Sequence, residues 1–231
     1  MILWPSVLGV ALGMRHALEP DHLAAVSTLT SQQKSARAGL VLGVFWGLGH
    51  SLSLLLVGGT LALLETHLPA RLENGFEVLV SLMIIFLGAR ALRQAVREGR
   101  SGVVHSHEHG GVAHTHPAPT EHLHVSKATL ATRPLLIGLV HGLAGSGALT
   151  VIVLSELHSA AERLSYIFLF GSGSIIGMGL LTGLVGVPLS RAARNPRLAT
   201  GLLMVTGVIS LSIGAWWGVT SISRLFGLDA A

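Results

Sequence analysis

The chain has 231 residues, of which 50% are hydrophobic and only 11% are charged. Soluble domains carry about 25% charged residues, so this composition excludes an ordinary soluble domain. Four uncharged segments, residues 38–64, 134–155, 164–190 and 198–223, are each long enough to cross a bilayer as a helix, which takes ~20 residues. The sequence therefore predicts an all-α polytopic membrane protein, whose first partner is the lipid bilayer.

The formal net charge is +4, but the basic residues cluster beside predicted helix ends and do not indicate a nucleic-acid partner. The chain contains no cysteine, which excludes disulfides and thiolate metal sites. Any metal ligands must then be histidine, carboxylate or backbone oxygen. Residues 1–14 lack the basic start of a signal peptide, so they are interpreted as the first half of a spanning helix.

Six transmembrane helices are predicted in chain order, at residues 2–29, 38–64, 76–98, 134–156, 163–189 and 198–224. Lysine and arginine are divided unevenly between the two ends of these helices, with eleven at one end and three at the other. Basic residues flank the cytoplasmic ends of membrane helices. Both termini are therefore predicted outside, and the long central loop is predicted to be cytoplasmic.

The chain divides into a first three-helix unit (residues 1–98), a loop (99–132) and a second three-helix unit (133–231). The loop has too few apolar residues for a core and is predicted to be disordered. It is interpreted either as a collector or sensor of divalent cations or as a plain soluble linker. Its histidines are His105, His107, His109, His114, His116, His122 and His124.

A faint internal repeat relates the two three-helix units. It pairs short stretches at offsets of 125, 124 and 126, around His16 and His141, Gly49 and Gly173, and Gly88 and Gly214. An odd number of helices in each repeat gives the two copies opposite orientations in the membrane, as in transporters built from inverted repeats. The matches are short and rich in glycine, so chance resemblance is the alternative.

Residues 15–22 place five ionisable side chains inside the first hydrophobic segment. Such groups are costly at membrane depth unless they have partners or a ligand. Pro20 cannot donate to the carbonyl of His16, so a kink or unwound step is expected there, with that carbonyl free. The break would bring His16, Asp21 and His22 together as a divalent-cation site. The alternative is a helix end at which these groups face lipid headgroups.

Two further histidines, His50 and His141, lie deep in uncharged spans and are flanked by glycine, which lets membrane helices approach closely. We favour a metal-binding role for His50, with Ser51 as a partner. For His141 a ligand and an interhelical hydrogen bond remain equal alternatives, although its pairing with His16 in the repeat favours the ligand.

Three other side chains near helix ends have simpler interpretations. Glu19 can accept a hydrogen bond from a ligating imidazole, or it can pair with Arg15 four residues earlier. His67 and His158 fall at outer helix ends and are predicted to be solvent-exposed.

Residues 15–26, with arginine, histidine and alanine followed by Asp21 and His22, resemble the signature helix of the nickel/cobalt transporters. Residues 48–51 are similar to the second motif of that family. Six helices rather than eight, together with residues 141–146, resemble its urease-accessory membrane branch. The chain departs from the family pattern at Glu19, where the family has aspartate.

This resemblance implies movement of Ni²⁺ or Co²⁺ across a bacterial or archaeal inner membrane, with His16, Asp21, His22 and His50 carrying the ion. The residue analysis adds His141 to this predicted metal site. The ion would be cargo rather than a cofactor, and the chain is not expected to be an enzyme. Secondary transport is expected because the sequence has no phosphate-binding loop of the ATPase type.

Three alternatives to uptake are left open or disfavoured. The first is export of the same ions, because nothing in the sequence fixes the direction of transport. The second is a non-transporting accessory protein that hands nickel to enzyme-maturation proteins through the loop. The third, a membrane metalloenzyme, is disfavoured because the sequence has no His-Glu-x-x-His motif and no evident nucleophile.

Overall fold

The computed structural model describes residues 3–30, 35–100, 105–109, 112–116, 127–192 and 195–228. These residues are helical apart from the short turns that join the helices and one hairpin between the third and fourth predicted spans. The helices are α1 (Leu3–His16), α2 (Pro20–Thr30), α3 (Ala36–Ser53), α4 (Gly59–Leu63), α5 (Ala70–Arg100), α6 (Lys127–Glu156), α7 (Ala160–Ala192) and α8 (Pro196–Phe226). A π-helical turn, Leu54–Gly58, joins α3 to α4 without interrupting the rod.

The first predicted helix is broken between His16 and Pro20, as the sequence predicts. Pro20 opens α2, where its missing N–H and fixed φ are tolerated. A tight turn fills the gap, because the Glu19 N–H donates to the His16 carbonyl at 3.1 Å. The expectation that the His16 carbonyl would be free is therefore wrong. Asp21 lies in the first turn of α2, where a carboxylate is favoured by the helix dipole.

The third predicted helix begins earlier than expected, at Ala70 rather than residue 76. The prediction stopped short of the charged residues Arg71 and Glu73, which the helix includes before its apolar span. Glu77, beside the predicted start, accepts a hydrogen bond from the Ser221 hydroxyl of α8 at 2.8 Å.

The described part of the chain contains four helical rods long and apolar enough to cross a membrane: Ala36–Leu63, Ala70–Arg97, Ala160–Pro188 and Arg197–Phe226. Large apolar side chains cover the outside of the bundle, and Trp216 and Leu184 are 72% and 70% exposed. The interior holds apolar side chains together with buried histidine, serine and threonine side chains. This distribution is typical of a helical membrane protein. Six spans and inverted repeats remain predictions.

The helices pack as two groups that cut across the two halves of the sequence. In the first, which we call the α3 group, α3 packs on α6 and α7, and α1 packs on α7. In the second, the α8 group, α5 packs along α8, and α2 lies chiefly on α8 and α5. The break at residues 17–19 therefore separates α1, in one group, from α2, in the other.

Glycines bring α3 and α6 into backbone contact. A side chain at Gly49 would meet the carbonyl of Leu135, and one at Gly138 would overlap the carbonyl of Trp46 and approach the amide of His50. Small residues at such positions let membrane helices gain close van der Waals packing. The backbone that carries His50 is therefore held directly against α6.

We expect Gly138→Ala to destabilise the bundle, because the new methyl group would overlap the Trp46 carbonyl oxygen. Overpacking of this kind costs about 1–3 kcal/mol. The measurement is the thermal midpoint of the detergent-solubilised protein. Gly75→Ala is the matched control, since a methyl group there meets no atom within 4 Å. Equal midpoints for the two variants would contradict the close α3–α6 contact.

Helix α6 begins at Lys127, earlier than the predicted residue 134, so residues 127–132 of the predicted loop are helical. Between α5 and α6 the described residues form two antiparallel strands, β1 (His105–His109) and β2 (Val112–His116), with His107 opposite His114. Neither strand contacts a described helix. An isolated two-stranded hairpin is marginally stable in water. Disorder of the segment between α5 and α6 stays a prediction, and residues 101–104, 110–111 and 117–126, with His122 and His124, lie outside the described residues.

Candidate metal centre

The five predicted metal-site residues converge where α1 gives way to α2. His16 ends α1, Asp21 and His22 lie in the first turn of α2, His50 comes from α3 and His141 from α6. All five line one cavity of about 400 Å³. His16, Asp21 and His22 lie close together because they flank the break between α1 and α2. His50 and His141 lie close together because glycines bring α3 and α6 into contact.

Asp21 connects two of the imidazoles. Its Oδ1 lies 3.1 Å from His22 Nδ1, and its Oδ2 lies 2.6 Å from His141 Nε2. An ionised carboxylate only accepts hydrogen bonds, so both of these ring nitrogens carry the proton. The opposite nitrogens, His22 Nε2 and His141 Nδ1, are then lone pairs. Both are buried and have no hydrogen-bond partner among the described residues.

His16 is oriented in the same way by Glu19. His16 Nδ1 lies 3.0 Å from Glu19 Oε1, and its Nε2 lies 3.1 Å from His50 Nε2. The carboxylate fixes the proton on Nδ1, so Nε2 is an acceptor and His50 donates to it. The sequence left two roles open for Glu19, as an acceptor for an imidazole or as a partner of Arg15. In the structure its carboxylate lies against the imidazole of His16. A carboxylate behind a histidine is the usual support of a metal ligand.

The donor atoms fall into two groups of three. One contains His16, His22 and His50, and the other contains Asp21, His22 and His141; within each, the ligand atoms lie within 4.8 Å of one another. Opposite ligands of a transition-metal ion are about 4.2 Å apart, given bonds of about 2.1 Å. Each group can therefore hold an ion after a small movement. Imidazole and carboxylate suit Ni²⁺, Co²⁺ and Zn²⁺.

The centre is almost closed to solvent. The side chains of His22, His50 and His141 are at most 2% exposed, whereas that of His16 reaches 14%. Trp46, which the sequence analysis missed, stacks on His22 with ring centroids 5.4 Å apart. Its position four residues before His50 places both on one face of α3, and this spacing was the signal available in the sequence.

The cavity extends from the histidines toward one end of the bundle. Its other lining residues lie in the helix halves that lead to Leu63, Ala70, Glu156, Ala160 and Phe226, and they include Leu54, Glu77, Leu149, Tyr166 and Trp217. This end has the fewer basic residues. By the charge bias it is the end predicted to face outward.

One predicted partner is wrong. The Ser51 hydroxyl donates to the carbonyl of Gly171 at 2.8 Å and does not contact His50. Adjacent helical residues point about 100° apart, so Ser51 faces α7 while His50 faces the cavity. The predicted exposure of His67 and His158 is confirmed.

An apolar helical bundle with a buried cluster of imidazoles and a carboxylate belongs to the class of membrane proteins that handle metal ions. The chain is a member of the NicO family, described as High-affinity nickel-transport protein, which matches residues 2–222. Membership in this family makes it a transport or accessory membrane protein rather than an enzyme. The metal of such proteins is a transported substrate and not a cofactor.

Three relatives illustrate the similarity. The urease accessory protein UreH of Bacillus sp. (strain TB-90) is 36% identical over 208 residues, or 90% of this chain and 87% of the relative. The Arabidopsis thaliana chloroplast protein FOR GROWTH AND FERTILITY 2 is 27% identical over 99% of this chain and 59% of its own length. A high-affinity nickel transport protein of Cupriavidus necator is 30% identical over 47% of this chain and 35% of its own length. No solved structure matches the chain.

Proposed function

We propose that this protein is a secondary transporter that takes up Ni²⁺, with Co²⁺ as the alternative cargo, across a cell inner membrane. The observation that carries the proposal is the cluster of four imidazoles and a carboxylate, buried in mid-bundle at the closed end of a cavity. The ion would exchange its water for ligands drawn from His16, Asp21, His22, His50 and His141. Relative movement of the α3 group and the α8 group would then expose the ion to the other side.

Reciprocal contacts support the inverted three-helix repeats that this proposal includes. Gly49 packs on the Leu135 carbonyl of α6, and its repeat counterpart Gly173 packs on the Val10 carbonyl of α1. Val10 and Leu135 are separated by the same offset of 125 that relates His16 to His141. When each residue is replaced by its repeat counterpart, the contact of Gly49 with Leu135 becomes the contact of Gly173 with Val10. Such reciprocal contacts are expected for two copies related by a two-fold axis.

The membrane potential can drive the proposed uptake. A divalent ion moving inward across a 100 mV inside-negative potential gains about 4.6 kcal/mol. Each 1.36 kcal/mol corresponds to a tenfold concentration ratio, so this field supports an inside-to-outside ratio of about three decades. The proposed orientation, with the termini outside and the histidine-rich loop in the cytoplasm, places the cavity on the side from which the ion would enter.

We expect the purified protein in liposomes to accumulate Ni²⁺ when an inside-negative potential is imposed. The measurement is ⁶³Ni²⁺ uptake, with protein-free liposomes as the control. Reversal of the potential should reverse the net flux, because the ion carries the charge. Outward pumping against that gradient would favour export, and no flux of Ni²⁺, Co²⁺ or Zn²⁺ by correctly inserted protein would contradict transport.

A second candidate is an accessory protein that hands nickel to enzyme-maturation proteins through the loop, and the similarity to a urease accessory protein favours it. Replacing residues 101–126 with a flexible Gly/Ser linker of equal length separates the two functions. The described loop strands do not touch the helices. A transporter should therefore keep most of its nickel flux after this replacement. Lost urease activation with intact flux would assign delivery to the loop.

A further inference from the structure

The donors of the centre cannot all reach one ion as they stand. Among the described residues, the close ligand atoms form two groups of three, and only His22 belongs to both. Among the described residues no close group contains all five donors, so at least one ligand atom of His16 or His50 lies more than 4.8 Å from one of Asp21 or His141. Ligands on opposite sides of one transition-metal ion are about 4.2 Å apart, so an ion bound by either group of three needs less movement of the side chains than an ion bound by all five.

We propose that the centre offers the ion two successive positions that share His22, and that transport hands the ion from one to the other. The outer position is formed by His16, His22 and His50. The deeper position is formed by Asp21, His22 and His141. This inference rests on the proposed transport function and describes the path of the ion within it.

His22 is suited to be the shared ligand because its two nitrogens face different neighbours. Nδ1 lies 3.1 Å from Asp21 Oδ1, on the side of the deeper position, and Nε2 is buried without a partner. The His22 ring lies 4.5 Å from the His16 ring and 4.2 Å from the His141 ring, centroid to centroid. An imidazole that binds a metal through one nitrogen keeps its proton on the other. The two positions are therefore occupied one at a time.

Burial gives the order of the two positions. His16 is the most exposed imidazole of the centre, at 14%, whereas Asp21, His22 and His141 are all buried. An ion that arrives through the cavity meets the group containing His16 first. In that group Glu19 and Asp21 leave lone pairs on His16 Nε2 and His22 Nε2, and the ion must replace only the hydrogen bond that His50 donates to His16. At the deeper position, the ion must replace the hydrogen bonds that Asp21 makes with His22 and His141.

The test compares His50→Gln with His141→Gln, which make the same change in two buried histidines flanked by glycine. Ni²⁺ binding is measured by equilibrium dialysis in detergent, and ⁶³Ni²⁺ uptake is measured in liposomes. We expect His50→Gln to weaken binding at least tenfold, since it removes a ligand of the outer position. His141→Gln should bind within about threefold of wild type but lose at least tenfold in uptake, because the ion cannot advance. Losses of about tenfold are usual when a metal centre loses a supporting group.

Two results with these variants would overturn the proposal while leaving transport intact: wild-type uptake by His141→Gln, or equal loss of binding in both variants. Absence of uptake by wild-type protein would instead overturn the transport function itself. X-ray absorption of nickel-loaded wild type needs no variant to fold. We expect three imidazoles around the bound ion, and four would indicate a single centre.

Discussion

His22→Ala is expected to abolish nickel uptake, with a loss beyond the roughly 100-fold that follows removal of a supporting residue from a metal centre. His22 is the residue common to both groups of donor atoms, and its side chain is 1% exposed. Water cannot easily take the place of its imidazole at such a buried position. The measurement is the initial rate of ⁶³Ni²⁺ uptake into liposomes at matched protein density.

His67→Ala is the matched control for this loss. It removes the same side chain from an exposed position at the end of the bundle, outside the cavity. Its uptake should equal that of wild type. Substantial uptake by His22→Ala, or an equal loss in both variants, would remove His22 from the path of the ion.

Asp21→Asn is expected to weaken Ni²⁺ binding by about 10–100-fold, the range seen when a carboxylate that supports metal ligands is lost. The two side chains have the same shape, so the packing of α2 should survive. The amide, however, has one acceptor oxygen and one donor nitrogen. Asp21 accepts from both His22 and His141, so one imidazole N–H would face another donor. Equilibrium dialysis of the detergent-solubilised variant measures the affinity.

Glu19→Gln makes the same carboxylate-to-amide change next to His16, but the Glu19 side chain is 54% exposed. Water can replace the lost acceptor there, so we expect a loss of only about threefold, well below the range for a buried partner. If the two variants lose equal affinity, burial of Asp21 is not what makes its hydrogen bonds important.

The helix break and its position could be predicted from the sequence because they follow from one residue. Pro20 cannot continue the hydrogen bonds of α1, and the charged residues around it mark a segment that lipid cannot surround. The start of α5 could not be predicted in the same way. The apolar span that the sequence reveals ends near Glu77, whereas the backbone remains helical back to Ala70.

The residues that form the cluster could be predicted from the sequence, but the hydrogen bonds among them could not. Histidines buried deep in apolar spans are costly, so His50 and His141 stood out before their neighbours were known. Their hydrogen-bond partners depend on how far each helix is rotated about its own axis, since neighbouring residues point about 100° apart. The bond between Asp21 and His141 and the contact of Ser51 with Gly171 are set by that rotation, which short glycine-rich sequences leave undetermined. The metal-binding role of the cluster remains a prediction.

The break at residues 17–19 also determines how the two helix groups are connected. The chain crosses there from the α3 group to the α8 group. His16 belongs to the α3 group, whereas Asp21 and His22 belong to the α8 group. A bound ion would therefore cross-link the two groups beside the short turn that joins α1 to α2. Ion binding should restrict their relative movement, so a pair of spin labels on α1 and α2 should show a narrower distance distribution with nickel than without it.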